Sequence, residues 1–122
     1  MKTEEYIAAA IDKGAESGLE GLTPIERAVF LISEAEVVCD MGSGLDYLRK
    51  KYGTDALEGC RDAFRSIGAG RIADGLERLV EDPALTDSEV GEIESFISER
   101  FEYGYEEIEA WVEKRGSELK TP

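Results

Sequence analysis

Carboxylates and glycines are the reactive or conformationally special residues this chain holds in quantity. Among 122 residues there are 28 Asp and Glu, 14 Lys and Arg, 13 Gly, two Cys and no His. Without histidine no Ser-His-Asp or Cys-His nucleophile can be assembled. No imidazole can ligate a metal or change charge near neutral pH. Cys39 and Cys60 show no Cys-x-x-Cys spacing. Two thiolates are too few for a structural zinc site or a disulfide framework, so both read as small core hydrophobes. The spacing of a calcium loop is absent. Gly68-Ala69-Gly70 has no Gly-Lys-Ser/Thr behind it and reads as a corner between helices, not a phosphate loop. Glu34 and Glu36 fall inside a helical stretch. One of them, half-buried and paired to an arginine such as Arg65 or Arg71, is more simply structural than catalytic. The expectation is no enzyme, no catalytic residue, no cofactor and no metal.

The carboxylates remain, and their distribution is uneven. Residues 1–48 hold 10 acids and 3 bases, net −7, and residues 49–80 hold 5 acids and 7 bases, net +2. Residues 81–113 hold 12 acids and the single base Arg100, net −11, and residues 114–122 have one acid and 3 bases, net +2. Together these give −14. At 100° per residue, Glu92, Glu99 and Glu102 fall opposite Val90, Ile93, Ile97 and Phe101. Glu106, Glu109 and Glu113 fall opposite Ile108, Trp111, Val112 and Leu119. Like charges three or four apart on a helix stand about 5–6 Å from one another and repel by a few tenths of a kcal/mol per pair. Such a row is either a solvated face that keeps the protein soluble or a footprint for a basic partner. Duplex DNA carries a phosphate about every 3.4 Å per strand, and carboxylates at helical spacing are a coarse copy of it. A net charge of −14 argues against direct binding to nucleic acid or an anionic membrane. Arg49, Lys50 and Lys51 make one small basic spot, suited to a subunit contact in a homodimer or to intramolecular pairing.

The elements that must position these groups are helical. Thr3 can cap a first helix with Tyr6, Ile7, Ala10 and Ile11 on one face. Thr23-Pro24-Ile25-Glu26 is a capping box with proline at the first helical position. It opens a central helix through Val29, Ile32 and Ala35 towards Cys39, with Leu31, Val37 and Val38 widening the stripe. Met41-Gly42-Ser43-Gly44 breaks that helix, and a short one follows with Leu45, Leu48 and Tyr52. Asp55 to Glu58 reads as another capping box, and Gly68 as a left-handed C-cap. Gly70 to Val80 makes the next helix, ended at Pro83. Thr86 to Glu89 caps a sixth helix reaching Phe101, and Tyr105 to about Leu119 forms the last, with Trp111 buried. No segment alternates at period two. The fold class is all-α, one compact domain over 1–122 of about six or seven short helices.

Four stretches together resemble the DNA-mimic protein family, an all-helical group. Leu22 to Leu31 looks like the opening of its central helix. Glu36-Val37, then Gly42-Ser43-Gly44 and Leu45 to Leu48, occupies the place of its Asn-Gly-Gly-aromatic corner, with Asp40, Met41 and Ser43 where the family has asparagines. Ala63 to Ala69 is similar to its A-x-x-x-I-G-A segment, and Phe101 to Trp111 to its aromatic-acidic tail. The resemblance covers about residues 20–114. It implies a surface that imitates duplex DNA and occupies a DNA-binding protein.

The reading is therefore a non-enzymatic acidic interaction protein. Its face of Glu92, Glu99, Glu102, Glu106, Glu109 and Glu113 binds a basic, DNA-binding partner. The alternatives are an immunity-type or other protein-binding module, or a helical domain acidic only for solubility. The N-terminal residues lack a basic, then apolar, signal pattern, and no apolar run approaches the ~18 residues of a membrane span, so the expected location is the cytoplasm.

Overall fold

The computed structural model describes residues 2–82 and 84–120, with side chains as far as Arg115. Seven helices follow one another: α1 (Thr3–Ser17), α2 (Pro24–Asp40), α3 (Gly44–Tyr52), α4 (Thr54–Ser66), α5 (Gly70–Glu81), α6 (Asp87–Ser98) and α7 (Tyr105–Lys120). No strand occurs among the described residues. No helix there is long and apolar enough to cross a membrane.

Helix α2 is the axis of the domain. It packs on α1, α3, α4, α6 and α7, while α4 and α5 form a closely packed pair beside it. Its apolar residues are buried nearly all round: Val29, Phe30, Leu31, Ile32, Ala35 and Val38. A helix that is apolar on most sides must be surrounded, which is why the widest stripe in the sequence became the centre. Val37 is the exception and stays exposed. The other helices each add one face, including Leu57, Phe64, Ile72, Leu76, Ile93, Ile97 and Ile108.

Helix ends follow local chemistry. Both Thr23 and Thr86 close reciprocal capping boxes, with Glu26 and Glu89 returning bonds to the cap N–H. Each such cap is worth about 1 kcal/mol. Gly68 takes φ +90° and the Ala69 N–H returns to the Phe64 carbonyl at 2.9 Å, a left-handed closure of α4. Two expected caps are replaced. Thr3 is the first helical residue and Lys2 the cap, which leaves the Thr3 hydroxyl to donate to Glu113 Oε1 at 3.1 Å. Gly53, at φ 92°, alone separates α3 from α4, so α4 starts at Thr54 and no Asp55–Glu58 box forms. Pro83 and the side chain of Leu119 lie outside the described residues.

The largest departure is at the end of α6. The apolar rhythm predicts a helix reaching Phe101, but α6 stops at Ser98. Arg100 takes φ +53°, its N–H returns to Ile97 O at 3.1 Å, and the Phe101 N–H returns to Phe96 O at 2.9 Å. This is a Schellman closure with arginine in the place usually held by glycine. Phe96 and Phe101 stack across it at 4.9 Å, the apolar contact that accompanies the motif. A left-handed arginine costs on the order of 1–2 kcal/mol. Its side chain offsets that, as described next.

Candidate functional site

The acidic segment 81–113 is built around the 99–104 turn that joins α6 to α7. Arg100, its one base, reaches back to the C-terminal end of α2. Nη1 and Nη2 grip the two Asp40 oxygens at 2.9 Å each, Nη1 also donates to Ser98 O at 2.7 Å, and Nε lies 3.3 Å from Glu36 Oε2. Tyr103 is buried and its hydroxyl donates to the same Glu36 oxygen at 2.5 Å. The Arg100 fork, together with the Ser98 hydroxyl, holds the Asp40 carboxyl below its ordinary range. Burial, then the bond to Glu36, pushes the Tyr103 phenol up. Glu34 and Glu36 are both half-buried; Glu36 is the one paired to an arginine, and that arginine is Arg100. Arg65 pairs instead with Asp74 and Glu77, and the Arg71 guanidinium lies over the Phe101 ring. Glu34 accepts from the Tyr52 hydroxyl at 3.3 Å.

Several acids of the segment cap helices of the same chain. Glu94 accepts the Leu45 N–H at 2.7 Å and so closes the start of α3. Glu102, itself at φ +69°, accepts the Arg71 N–H at 2.9 Å at the start of α5. Glu113 receives the Thr3 hydroxyl at the start of α1. A carboxylate at a helix N-terminus meets unsatisfied N–H groups and the positive end of the macrodipole. These two caps and the Thr3 contact are invisible to periodicity, because they join residues 31 to 110 positions apart.

The six acids singled out above therefore have distinct surroundings. Glu92 and Glu99 stand exposed along the outer side of α6, Glu99 as its C-cap. Glu102 belongs to the turn and not to the helix, and its side chain is engaged at α5. Glu106 is exposed on α7, and Glu109 is half-buried. Helix α6 packs on α2, α3 and α5, whereas α7 packs on α1 and α2. The carboxylates consequently form two stripes, one on each helix, not one continuous row. The α7 stripe gains a neighbour from α1: Glu4 and Glu109 both raise the titration of the half-exposed Tyr105, after desolvation.

What sets this segment apart is its lack of countercharge. Among the described residues, Lys13, Arg49, Lys50, Arg61, Arg65, Arg78 and Arg100 form the salt bridges. Their acids lie outside residues 81–113 except Glu89, which holds Arg78 at 2.6 Å. None of Glu92, Glu99, Glu102, Glu106, Glu109 and Glu113 takes part in a salt bridge there. The basic spot on α3 is internally paired, Arg49 and Lys50 with Asp46, while the Lys51 ammonium lies 5.2 Å from the Tyr52 ring centre.

The helix ends also coincide with the stretches that carry the family resemblance. Leu22 to Leu31 is the capped opening of α2, and Asp40 to Leu48 is the corner that Glu94 closes. Ala63 to Ala69 is the Schellman end of α4, and Phe101 to Trp111 leads from the Arg100 turn into α7. Residues 20–119 match the DMP19-like protein family. The chain belongs to that family. No curated protein and no solved structure matches it significantly. In this DMP19-like chain, the motif residues set helix boundaries; Glu102, Glu106 and Glu109 fall within the Phe101–Trp111 stretch, whereas Glu92, Glu99 and Glu113 lie outside all four.

The thiols offer no nucleophile at neutral pH. Both cysteines are free. Burial, followed by the negative charges of Glu94 and Asp40, pushes the Cys39 thiol up to about 12. Cys60 is fully buried, its Sγ 3.6 Å from Leu31 O, and burial raises it too. Among the described residues, no group of three or more acids and thiols is placed to hold a metal ion.

Proposed function

We propose that this DMP19-like protein is a non-enzymatic binding protein whose acidic stripes stand in for DNA phosphates and occupy a basic, DNA-binding partner. It acts in the cytoplasm, where such partners meet DNA. The observation that supports this reading is the missing countercharge. Of the salt bridges among the described residues only Arg78–Glu89 reaches an acid of residues 81–113, and none reaches Glu92, Glu99, Glu106 or Glu109, so these carboxylates project a field that no ion pair neutralises. A field of one sign accelerates encounter with an oppositely charged partner and makes binding strongly salt-dependent.

The test changes charge without shape. Glu92, Glu99, Glu106 and Glu109 are replaced together by glutamine, and Glu102 and Glu113 are kept because their carboxylates bond Arg71 N–H and Thr3. Partners are captured from native lysate at low salt and eluted with a salt gradient. The expected result is capture of a basic DNA-binding protein that the variant binds at least about tenfold more weakly, chiefly through the on-rate. Duplex DNA should displace the unmodified protein. Equal binding by the variant refutes a role for the stripes, and simultaneous binding of protein and DNA refutes mimicry.

A further inference from the structure

A second surface lies on the opposite flank of α7. Helices α4 and α7 both pack on α2, yet they do not form a substantial contact with each other. Between them a groove of about 650 Å³ runs over the N-terminal half of α2. Its floor is Pro24, Ile25, Ala28 and Leu31, with Gly59 and Ala63 at the foot of α4. Gly59 allows this closeness, since a Cβ there would stand 2.7 Å from Leu31 Cδ1. The seat has the form of a position between two helices that a further helix can fill.

The two banks differ in charge. On α4, Asp55, Glu58 and Asp62 line the groove at i, i+3 and i+7, a rail about 10 Å long, or two helical turns. Asp62 also holds Arg61 at 3.0 Å, a solvent-facing pair that an incoming cation can exchange. The other bank carries Arg27 of α2 and, on α7, Arg115 beside the half-buried Trp111, guanidinium 5.8 Å from the ring centre. We infer that this groove receives an amphipathic helix of a partner protein, apolar towards α2, basic along the flank facing α4 and acidic along the flank facing Arg27. Apolar side chains at i, i+3, i+4 and i+7 then enter the groove, as in other helix-in-groove recognition. The opposed banks fix how the helix is rotated about its own axis. This site is separate from the acidic stripes. On α7, Glu106, Glu109 and Glu113 project away from Trp111 and Arg115.

Trp111 is the only tryptophan in the chain, so its emission reports the groove directly. The probe is a synthetic peptide of about three helical turns, with leucines on one face, lysines on one flank and glutamates on the other. A saturable shift of Trp111 emission is expected. A peptide with its leucines scrambled should give none, and one with the two flanks exchanged should bind about tenfold more weakly or worse. The variant carrying Asp55→Asn, Glu58→Gln and Asp62→Asn should keep its circular dichroism and lose about tenfold in affinity. The Glu92, Glu99, Glu106 and Glu109 glutamine variant should bind the peptide unchanged, which separates this site from the function proposed above. Three results overturn the inference: no saturable shift with either flank arrangement, equal binding of the scrambled peptide, or full affinity in the α4 variant. So does a shift produced by a small aromatic carboxylate but by no peptide, which marks a small-molecule pocket instead.

Discussion

Substituting Gly44 by alanine separates two effects that meet at one atom. Gly44 has φ +80°, and a Cβ built there lies 2.5 Å from Glu94 Oε2, the oxygen that accepts the Leu45 N–H at 2.7 Å. Placing alanine in the left-handed region costs about 1–2 kcal/mol. The carboxylate sits at the end of a flexible side chain and moves aside, so the clash itself is relieved. Moving it forfeits a hydrogen bond to a charged group, worth about 1.5–3 kcal/mol. The expected loss for Gly44→Ala is therefore about 3–4 kcal/mol. Glu94→Ala alone forfeits only the cap, about 2 kcal/mol. In the double variant the cap is already gone, so the total should stay near the Gly44→Ala value, a coupling of about 2 kcal/mol. Urea unfolding of the four proteins, monitored by far-UV circular dichroism, gives the cycle. Additivity within about 0.5 kcal/mol refutes the idea that the glycine is required to make room for the carboxylate.

Gly14→Ala should destabilise by several kcal/mol, because its Cβ would fall 2.3 Å from the fully buried Phe30 ring; a change in melting temperature under about 2 °C refutes that contact. The melting temperature should rise between very low and moderate salt, since screening weakens repulsion within the net −11 segment; a flat or falling trend shows that its charges are already compensated. Hydrogen bonds hold Glu26, Asp40, Asp46 and Glu89 below the ordinary values of 4.5 for Glu and 3.8 for Asp. Their stabilisation is complete above those values and is lost as pH falls through the lower folded ones. Stability should accordingly drop below about pH 4, and an unfolding free energy that is unchanged or higher at pH 3 refutes it. Neither cysteine should react with a thiol reagent at neutral pH without denaturant, and labelling of Cys39 on the timescale of a free thiol contradicts its raised titration.

The residues that the sequence makes legible are those acting on near neighbours. The Thr23 and Thr86 boxes, the Gly68 closure and the apolar stripe of α2 each depend on spacings of three to seven residues. Backbone geometry sets those spacings wherever a helix forms. They determine an all-helical chain with α2 at its centre. The absence of histidine follows from composition alone. So does the concentration of negative charge in residues 81–113, together with the shortage of bases inside that segment.

Only the tertiary structure decides which charges meet. Arg100 looks like a lone cation among acids, yet it ends α6, clamps Asp40 and draws in Glu36, a residue 64 positions earlier. Helical periodicity carries no information about a left-handed arginine, because its strain is compensated by partners on α2. Glu94, Glu102 and Glu113 look like surface acids, but they cap or bond the starts of α3, α5 and α1. Trp111 lies on the apolar side of its helix but is only half-buried, because none of the described helices fills the seat between α4 and α7. A residue's face on its own helix is a local property. Whether another element covers that face depends on how the five helices packed on α2 share its surface.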